Sequence, residues 1–302
     1  MSMREPADIE ALTSYITEEV YSSLGLPAWR SVRKLLDPII HLPAGRFSQV
    51  AARMDQYVAQ YGLREAARRT LPAFASGFRQ TGAEHIPTEG PLLIASNHPG
   101  TCDGLVVTAN IPRPDLKIIA TGIPFTQGLP NIAEHVIYVP REGPGRANVI
   151  RQSIRHLKSG GALLIFPSGR VDPDPAIAPD PEVTFERWNS GLELILSHVP
   201  HAQLLLAMVS GVLSSNWLRH PLTWLTKESW KKNRTAEFLQ IIDQMVHPNR
   251  VDIHPTVTFG EPLQVAELTS DDRSLLDGII LQAHQLLKDH VQGILGHDTA
   301  HV

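Results

Sequence analysis

The sequence contains a single cysteine, Cys102, among 302 residues. One thiol excludes both a disulfide within the chain and a cysteine-rich zinc site. A long hydrophobic run is also missing, because the longest nearly uncharged apolar stretch, 202–213, falls short of the roughly 20 residues that span a bilayer. The first ten residues are polar, unlike a signal peptide. We therefore expect a cytoplasmic protein that meets a membrane, if at all, peripherally.

An excess of basic charge is absent too. The chain has 27 Lys and Arg against 31 Asp and Glu, for a formal net charge of -4. Proteins that bind nucleic acid usually carry a basic excess, so no nucleic-acid partner is expected. Among the 14 histidines, the pairs His198/His201 and His297/His301 lack a nearby cysteine or the HExxH spacing, and no metal is expected.

The first 80 residues place apolar side chains at three- and four-residue steps, which is typical of amphipathic helices. We expect a helical N-terminal subdomain over residues 1–80, broken at Pro27, Pro38 and Pro43, because proline removes a helix hydrogen bond. Beyond residue 80, short apolar runs alternate with helical patterns. This alternation predicts an α/β domain over residues 81–302, with a mostly parallel central sheet flanked by helices.

The apolar runs give the expected elements. Strands are predicted at 92–95, 116–120, 136–139, 162–166, 203–212 and 256–259. Helices are predicted at 146–158, 185–198 and 270–295. Segments that directly follow strands are the candidate positions for a functional site, since α/β enzymes place their sites at the carboxyl ends of strands.

Residues 97–103, NHPGTCD, follow the first of these strands. His98 and Asp103 are five positions apart across a Pro-Gly turn and can fold back on each other. The carboxylate would then hold one imidazole N–H and stabilise the protonated ring, while the other ring nitrogen takes a proton from a hydroxyl. The alternative is a histidine that only caps or packs the strand end.

Two further blocks supply groups suited to anions. Residues 136–141, VIYVPR, place Arg141 after a second strand, where its guanidinium suits phosphate or, alternatively, forms a surface ion pair. Residues 164–170, LIFPSGR, end a strand in a turn whose backbone amides can bind an anion beside Arg170. The alternative here is a simple corner between strand and loop.

In this order and spacing, the three blocks resemble the motifs of the glycerolipid acyltransferase superfamily, over roughly residues 82–212. His98 and Asp103 match its His-x4-Asp motif, and Arg141 matches the arginine of its second motif. Residues 166–169 match its Phe-Pro-Glu-Gly motif except that Ser168 replaces the glutamate. The strand at 204–212 matches its fourth motif in position but lacks the usual proline.

The resemblance implies an enzyme that moves a fatty acyl group from acyl-CoA or acyl-carrier protein to a hydroxyl of a glycerol-phosphate or lysophospholipid-type acceptor. It implies His98 as general base and Asp103 as its orienting partner, with no cofactor and no metal. Backbone amides near Gly100 or Gly169 would stabilise the oxyanion. The residues expected to bind substrate are Asn97, Arg141, Ser168, Gly169 and Arg170.

The serine at position 168 puts the acceptor in question, because the family glutamate helps to hold it. Asp172 and Glu186 are nearby carboxylates, although spacing alone gives no argument that either reaches the site. Two alternatives therefore stay open: an acyltransferase or thioesterase for a different, non-glycerolipid alcohol, and a non-catalytic protein that binds acyl chains or lipid. Cys102 could serve as a nucleophile, but its adjacency to Asp103 favours a packing role.

Residues 215–234 hold the best candidate for membrane contact. Tryptophan favours the membrane interface and lysine favours anionic headgroups, so this segment predicts peripheral binding. The residues expected to make the contact are Trp217, Trp224, Trp230, Lys231 and Lys232. Residues 24–43 are a second candidate, and the alternative for both is a tryptophan-containing core beside a solvated basic face. The same basic cluster could bind the phosphates of CoA.

Overall fold

A computed structural model describes residues 6–23, 30–141, 145–225, 229–270 and 272–298 of the chain. Within these ranges lies one eight-stranded sheet. Its strands are β1 (Arg79–Thr81), β2 (Leu92–Ser96), β3 (Lys117–Thr121), β4 (Val136–Val139), β5 (Ala162–Ile165), β6 (Gln203–Ser210), β7 (Thr256–Phe259) and β8 (Leu263–Gln264). They run in the order β1-β7-β6-β2-β5-β3-β4, and β8 pairs with β6.

Parallel pairing dominates the sheet. From β6 to β4 every neighbouring pair is parallel, whereas β6 pairs with β7 and with β8 in the antiparallel sense. The carboxyl ends of β2, β3, β4 and β5 therefore lie along one edge. The predicted fold class, a mostly parallel sheet flanked by helices, is confirmed.

The helices cover both faces of this sheet. They are α1 (Ile9–Ser23), α2 (Arg30–Tyr61), α3 (Leu63–Thr70), α4 (Asp103–Thr108), α5 (Pro124–Gln127), α6 (Arg146–Lys158), α7 (Ser190–Ser197), α8 (Ser215–Leu218), α9 (Ser229–Val246), α10 (Val265–Leu268) and α11 (Leu275–Asp298). Helices α2, α3, α4 and α9 pack on one face, and α6, α7 and α11 pack on the other.

Burial explains why the central strands read as continuous apolar runs. All five residues of β2 are buried. Leu92 and Ile94 belong to the hydrophobic cluster beneath α2, α3 and α4, whereas Leu93 and Ala95 belong to the cluster beneath α6, α7 and α11. Since neighbouring side chains of a strand point to opposite faces, a strand covered on both sides needs apolar residues at every position.

The prediction that prolines break the N-terminal helices is wrong for two of the three. Pro38 and Pro43 both lie inside the single helix α2, and Pro27 lies outside the described residues. A proline within a helix removes one hydrogen bond but leaves the rest of the helix intact where packing holds it. Ile40 and Ala44 are buried beside these prolines, and their contacts hold α2 together.

Other boundaries differ from the prediction in smaller ways. The expected helix 185–198 is a 3-10 turn over Pro181–Arg187 followed by α7, because Asn189 caps α7 by accepting the N–H of Gly191. The last helix begins at Leu275 rather than at 270, and β6 ends at Ser210. None of the described helices is both long enough and apolar enough to cross a bilayer.

Candidate active site

The three sequence blocks end at the same edge of the sheet. His98 lies two residues beyond β2, Arg141 two residues beyond β4, and Ser168 three residues beyond β5. Because these strands run parallel, their carboxyl ends form one rim, the usual place for a site in an open α/β sheet.

The structure brings His98 and Asp103 into direct contact. The Nδ1 atom of His98 lies 2.9 Å from Oδ2 and 3.0 Å from Oδ1 of Asp103. Asp103 is the first residue of α4 and is 1% exposed, and the backbone N–H of Gly100 donates to its Oδ2 atom at 2.9 Å. With Nδ1–H donated to the carboxylate, Nε2 is the ring nitrogen that can accept a proton.

The His98 ring is only partly covered and is therefore accessible from solvent. Its side chain is 33% exposed, and its ring lies 4.7 Å from that of Phe166, centroid to centroid. Burial alone would lower the pKa of His98, but the charge and hydrogen bond of Asp103 outweigh burial and raise this pKa to about 9. The pair therefore favours the imidazolium, and the neutral ring that can take a proton from a hydroxyl becomes the major form only above about pH 9.

The turn after β5 is tied to His98 through Asp172. The backbone N–H of His98 donates to Oδ2 of Asp172 at 2.8 Å, and the N–H of Asp172 donates to the carbonyl of His98 at 2.7 Å. The hydroxyl of Ser168 donates to the same Oδ2 atom at 3.0 Å. Burial raises the pKa of Asp172. Asp172 and Glu186 are the two carboxylates close in sequence to Ser168, which stands where the family has glutamate. Asp172 contacts Ser168, whereas Glu186 is exposed.

The remaining residues expected to bind substrate differ in their surroundings. Arg170 is exposed, and Gly169 has a φ of 62°, a left-handed conformation that favours glycine at this corner. Arg141 forms an ion pair with Glu19 of α1. Asn97 is buried, and its side chain exchanges two 2.8 Å hydrogen bonds with the backbone of Val209 in β6.

Two backbone amides suggested for an oxyanion are already engaged. The N–H of Gly100 donates to Asp103, and that of Gly169 donates to the carbonyl of Phe166 at 3.1 Å. Neither N–H is therefore available to a substrate in this arrangement.

Cys102 does not face the reacting groups. It is buried in the hydrophobic cluster on the α4 side of the sheet. Burial raises the pKa of its thiol well above the ordinary value, so the thiol stays protonated. A packing role fits this environment better than a nucleophilic one.

An apolar cavity of about 210 Å³ opens against Thr101, in the turn formed by residues 97–103. Its walls come from α1, α2 and α9 together with the turns after β2 and β5. Representative lining residues are Val20, Ile40, Phe47, Thr101, Phe238 and Ile241. Thr101 lines this cavity and lies three residues from His98 in the chain. The apolar cavity therefore lies next to the turn that holds the His98–Asp103 pair.

Sequence reasoning missed a buried carboxylate in this cavity. Glu237 of α9 is 9% exposed and accepts a hydrogen bond from the hydroxyl of Thr101. Nothing in the local pattern of α9 marks this glutamate, because the residue it contacts is 136 positions away in the chain.

Comparison with known proteins gives a family match and similar solved structures. Residues 77–191 match the model of the acyltransferase family. The crystal structure of the 1-acyl-sn-glycerophosphate (LPA) acyltransferase PlsC from Thermotoga maritima is similar at 13% identity, with 94% of this chain and 96% of that chain covered and a TM-score of 0.45. No curated protein matches the sequence.

Proposed function

We propose that this chain, whose residues 77–191 match the model of the acyltransferase family, moves a fatty acyl group from acyl-CoA or acyl-carrier protein to a hydroxyl of a glycerol-phosphate or lysophospholipid-type acceptor. The observation that carries this proposal is the contact between His98 and Asp103 at the carboxyl edge of the sheet, beside an apolar cavity.

The proposed reaction is a direct transfer. Nε2 of His98 takes the proton of the acceptor hydroxyl while the oxygen bonds to the thioester carbonyl carbon. The carbon–sulfur bond then breaks, and the leaving sulfur receives the proton from the imidazolium. Asp103 holds the ring through Nδ1 and stabilises its positive charge between the two proton transfers.

The cavity is the proposed compartment for the acyl chain. Its lining is predominantly hydrophobic, so an alkyl chain leaves water on entering it. The cavity reaches Thr101, in the same turn as His98, so a chain held there would place its thioester near Nε2. Arg141, Ser168 and Arg170 follow strands that end at the same rim and are the groups proposed to meet the polar parts of donor and acceptor, whereas Gly169 shapes the turn that carries Ser168 and Arg170.

We further propose that the enzyme acts at a membrane surface. Trp224 is 70% exposed and Lys231 is exposed, while Trp217 is partly covered and stacks near His220. The side chain of Trp230 lies outside the described residues. Exposed tryptophan beside lysine suits an anionic bilayer surface.

The second predicted segment adds an apolar face. Leu35, Ile39 and Leu42 of α2 are all exposed, at spacings of four and three residues that place them on one side of the helix. Helix α2 packs against α9, which also contacts the turn that carries Trp224. These exposed groups therefore surround the helices that enclose the cavity, as an enzyme with a lipid substrate requires.

The experiment that tests the reaction is thiol release from acyl-CoA and from acyl-carrier protein, with and without acceptor. The acceptor panel contains glycerol 3-phosphate, lysophosphatidic acid and non-glycerolipid alcohols. Release that requires a glycerolipid acceptor supports the proposal. Release without any acceptor indicates a thioesterase, and release only with another alcohol indicates a different acceptor class.

A further inference from the structure

Glu237 is a buried carboxylate that the mechanism above leaves without a role. It lies on α9, outside residues 77–191 that match the acyltransferase family. Its side chain faces a cavity whose other walls are mostly apolar. A carboxylate in such surroundings is costly, since burial disfavours its charge. A purely structural helix at this place would be more stable with an apolar or amide side chain.

Glu237 contacts the turn between His98 and Asp103. The hydroxyl of Thr101 donates to its Oε1 atom. A Cβ atom built on Gly100 would lie 3.4 Å from the same oxygen, so the carboxylate packs directly against the backbone of this turn. Thr101 and Gly100 lie between His98 and Asp103 in sequence. Any shift of the turn would therefore move the two reacting side chains relative to each other.

The charge of Glu237 also acts on His98. Three carboxylates raise the pKa of this histidine, in the order Asp103, Glu237 and Asp172. They come from three different elements: α4, α9 and the turn after β5. Glu19 and Arg234 line the same cavity, and Glu19 is paired with Arg141.

We propose that Glu237 is a positioning residue for the His98–Asp103 pair, holding the turn through Thr101 and adding negative charge beside the imidazolium. The inference rests on the proposed function, in which His98 is protonated during acyl transfer. Since the family match ends before α9, this part of the chain would supply a component of the site that the motifs do not contain. Glu237 itself touches neither donor nor acceptor in this scheme.

Two variants separate the contributions of Glu237. Glu237→Gln removes the charge and keeps the shape, whereas Thr101→Val removes the hydrogen bond and keeps the charge. Asp243→Asn is the matched control, because it removes a carboxylate from the same helix at a surface pair with His247. The first measurement is the NMR titration of His98 in the free enzyme, with the signal assigned by its loss in His98→Ala. The second is the pH profile of kcat/KM for acyl transfer.

The expected result is a pKa of His98 lower by about one unit in Glu237→Gln, with the acidic limb of kcat/KM moving to lower pH by the same amount. Thr101→Val should lower kcat with little change in KM, because the turn is less well held. Asp243→Asn should leave both measurements as in the parent.

The inference is overturned if His98 titrates identically in the parent and in folded Glu237→Gln. If Glu237→Gln fails to fold, the test is the kcat of Thr101→Val. A kcat equal to that of the parent in this variant overturns the inference. The NMR titration of His98 does not require turnover. A failure of the proposed acyl-transfer function can therefore be distinguished from a failure of the proposed role of Glu237. A shifted His98 titration in an enzyme that transfers acyl groups to no acceptor would support the role of Glu237 in positioning and reject the reaction.

Discussion

At the scale of single residues, three carboxylates act on His98 through three different contacts. Asp103 binds Nδ1 of the ring, Asp172 accepts the backbone N–H, and Glu237 reaches the turn through Thr101. Asp103 thus holds the imidazole ring itself, Asp172 holds the main chain of His98, and Glu237 of α9 holds the following residues of the turn. Preorganisation of this kind would let the ring act as the proposed general base without reorganisation during the reaction.

The contribution of the reactive pair can be measured by substitution. In His98→Ala, acyl transfer should fall by about 1,000-fold or more, because no group remains to accept the hydroxyl proton. In Asp103→Asn the fall should be about 100-fold or more, since Nδ1 loses its charged partner. Steady-state thiol release with the best acceptor gives both values, and thermal unfolding verifies the fold. Turnover near the parental rate in folded His98→Ala would rule out the assignment of the base.

The buried charge of Glu237 predicts a pH-dependent gain in stability on its removal. Burial raises its pKa above 4.5, so the unfolded chain ionises this group first and the folded protein loses stability as pH rises from 4.5 through the folded pKa. Glu237→Gln lacks this loss. Its Tm should therefore exceed that of the parent at pH 8 and approach it near pH 4. Thermal scans at both pH values test this, and a variant less stable than the parent at pH 8 would contradict it.

The distance along the chain explains which site residues could be predicted. His98 and Asp103 are five positions apart, and a short turn is enough to bring them together. Asp172 and Glu237 contact the same turn from 74 and 136 positions away, so their partners depend on the whole fold. The match of residues 77–191 to the acyltransferase family agrees with the resemblance that the motifs gave, whereas the individual substrate-binding roles stay predictions.

At the scale of elements, the prediction was most accurate where a segment carries a clear apolar pattern of its own. The runs at 136–139 and 146–158 became β4 and α6 with the same bounds. Strand β1 was missed because its three residues, Arg79–Thr81, are all exposed and polar, and β8 was missed because it has only two residues. Their pairing is set by neighbouring strands rather than by a hydrophobic pattern of their own.

A buried histidine joins α11 to the sheet. His290 is 2% exposed, and its ring nitrogens lie 2.7 Å from the hydroxyl of Thr258 in β7 and 2.8 Å from that of Ser210 in β6. Burial lowers its pKa to about 4, so this histidine is neutral at physiological pH and serves the packing of α11.

This histidine predicts acid sensitivity of the fold. The unfolded chain takes up a proton on His290 near pH 6.5, whereas the folded protein does so only near pH 4. Stability should therefore fall by on the order of 3 kcal/mol as pH drops through this window. Urea unfolding of His290→Gln should show a weaker fall, with the exposed His247→Gln as control. Equal slopes in parent and His290→Gln would show that another group is responsible.

At the scale of the whole molecule, exposed apolar and basic groups lie on the side of the sheet covered by α2 and α9. A net charge of -4 conceals this local distribution. Lys158 and Lys288 lie on α6 and α11, over the opposite face. The face covered by α2 and α9 is therefore the one suited to an anionic surface. Lys158 and Lys288, on the opposite face, are a matched pair of lysines for a control variant.

Flotation with anionic vesicles tests the proposed membrane face. Trp224→Ala and the double variant Lys231→Ala/Lys232→Ala should both bind less, the latter by up to about 30-fold at low salt, at about 1 kcal/mol per lysine. The double variant Lys158→Ala/Lys288→Ala should float as the parent does. Absence of flotation by the parent, or equal loss in both double variants, would remove the proposal.

The walls of the apolar cavity have a consequence for the order in which the site is assembled. Arg46 of α2 hydrogen-bonds the carbonyl of Met245 at 2.8 Å, across 199 residues of chain. During synthesis α1 and α2 emerge first, and α9 is made only after most of the sheet. His98 and Asp103 can meet long before the third wall of the cavity exists. In a growing chain the contact between His98 and Asp103 can therefore form early, whereas the apolar cavity proposed to hold the acyl chain is completed only when α9 has been made.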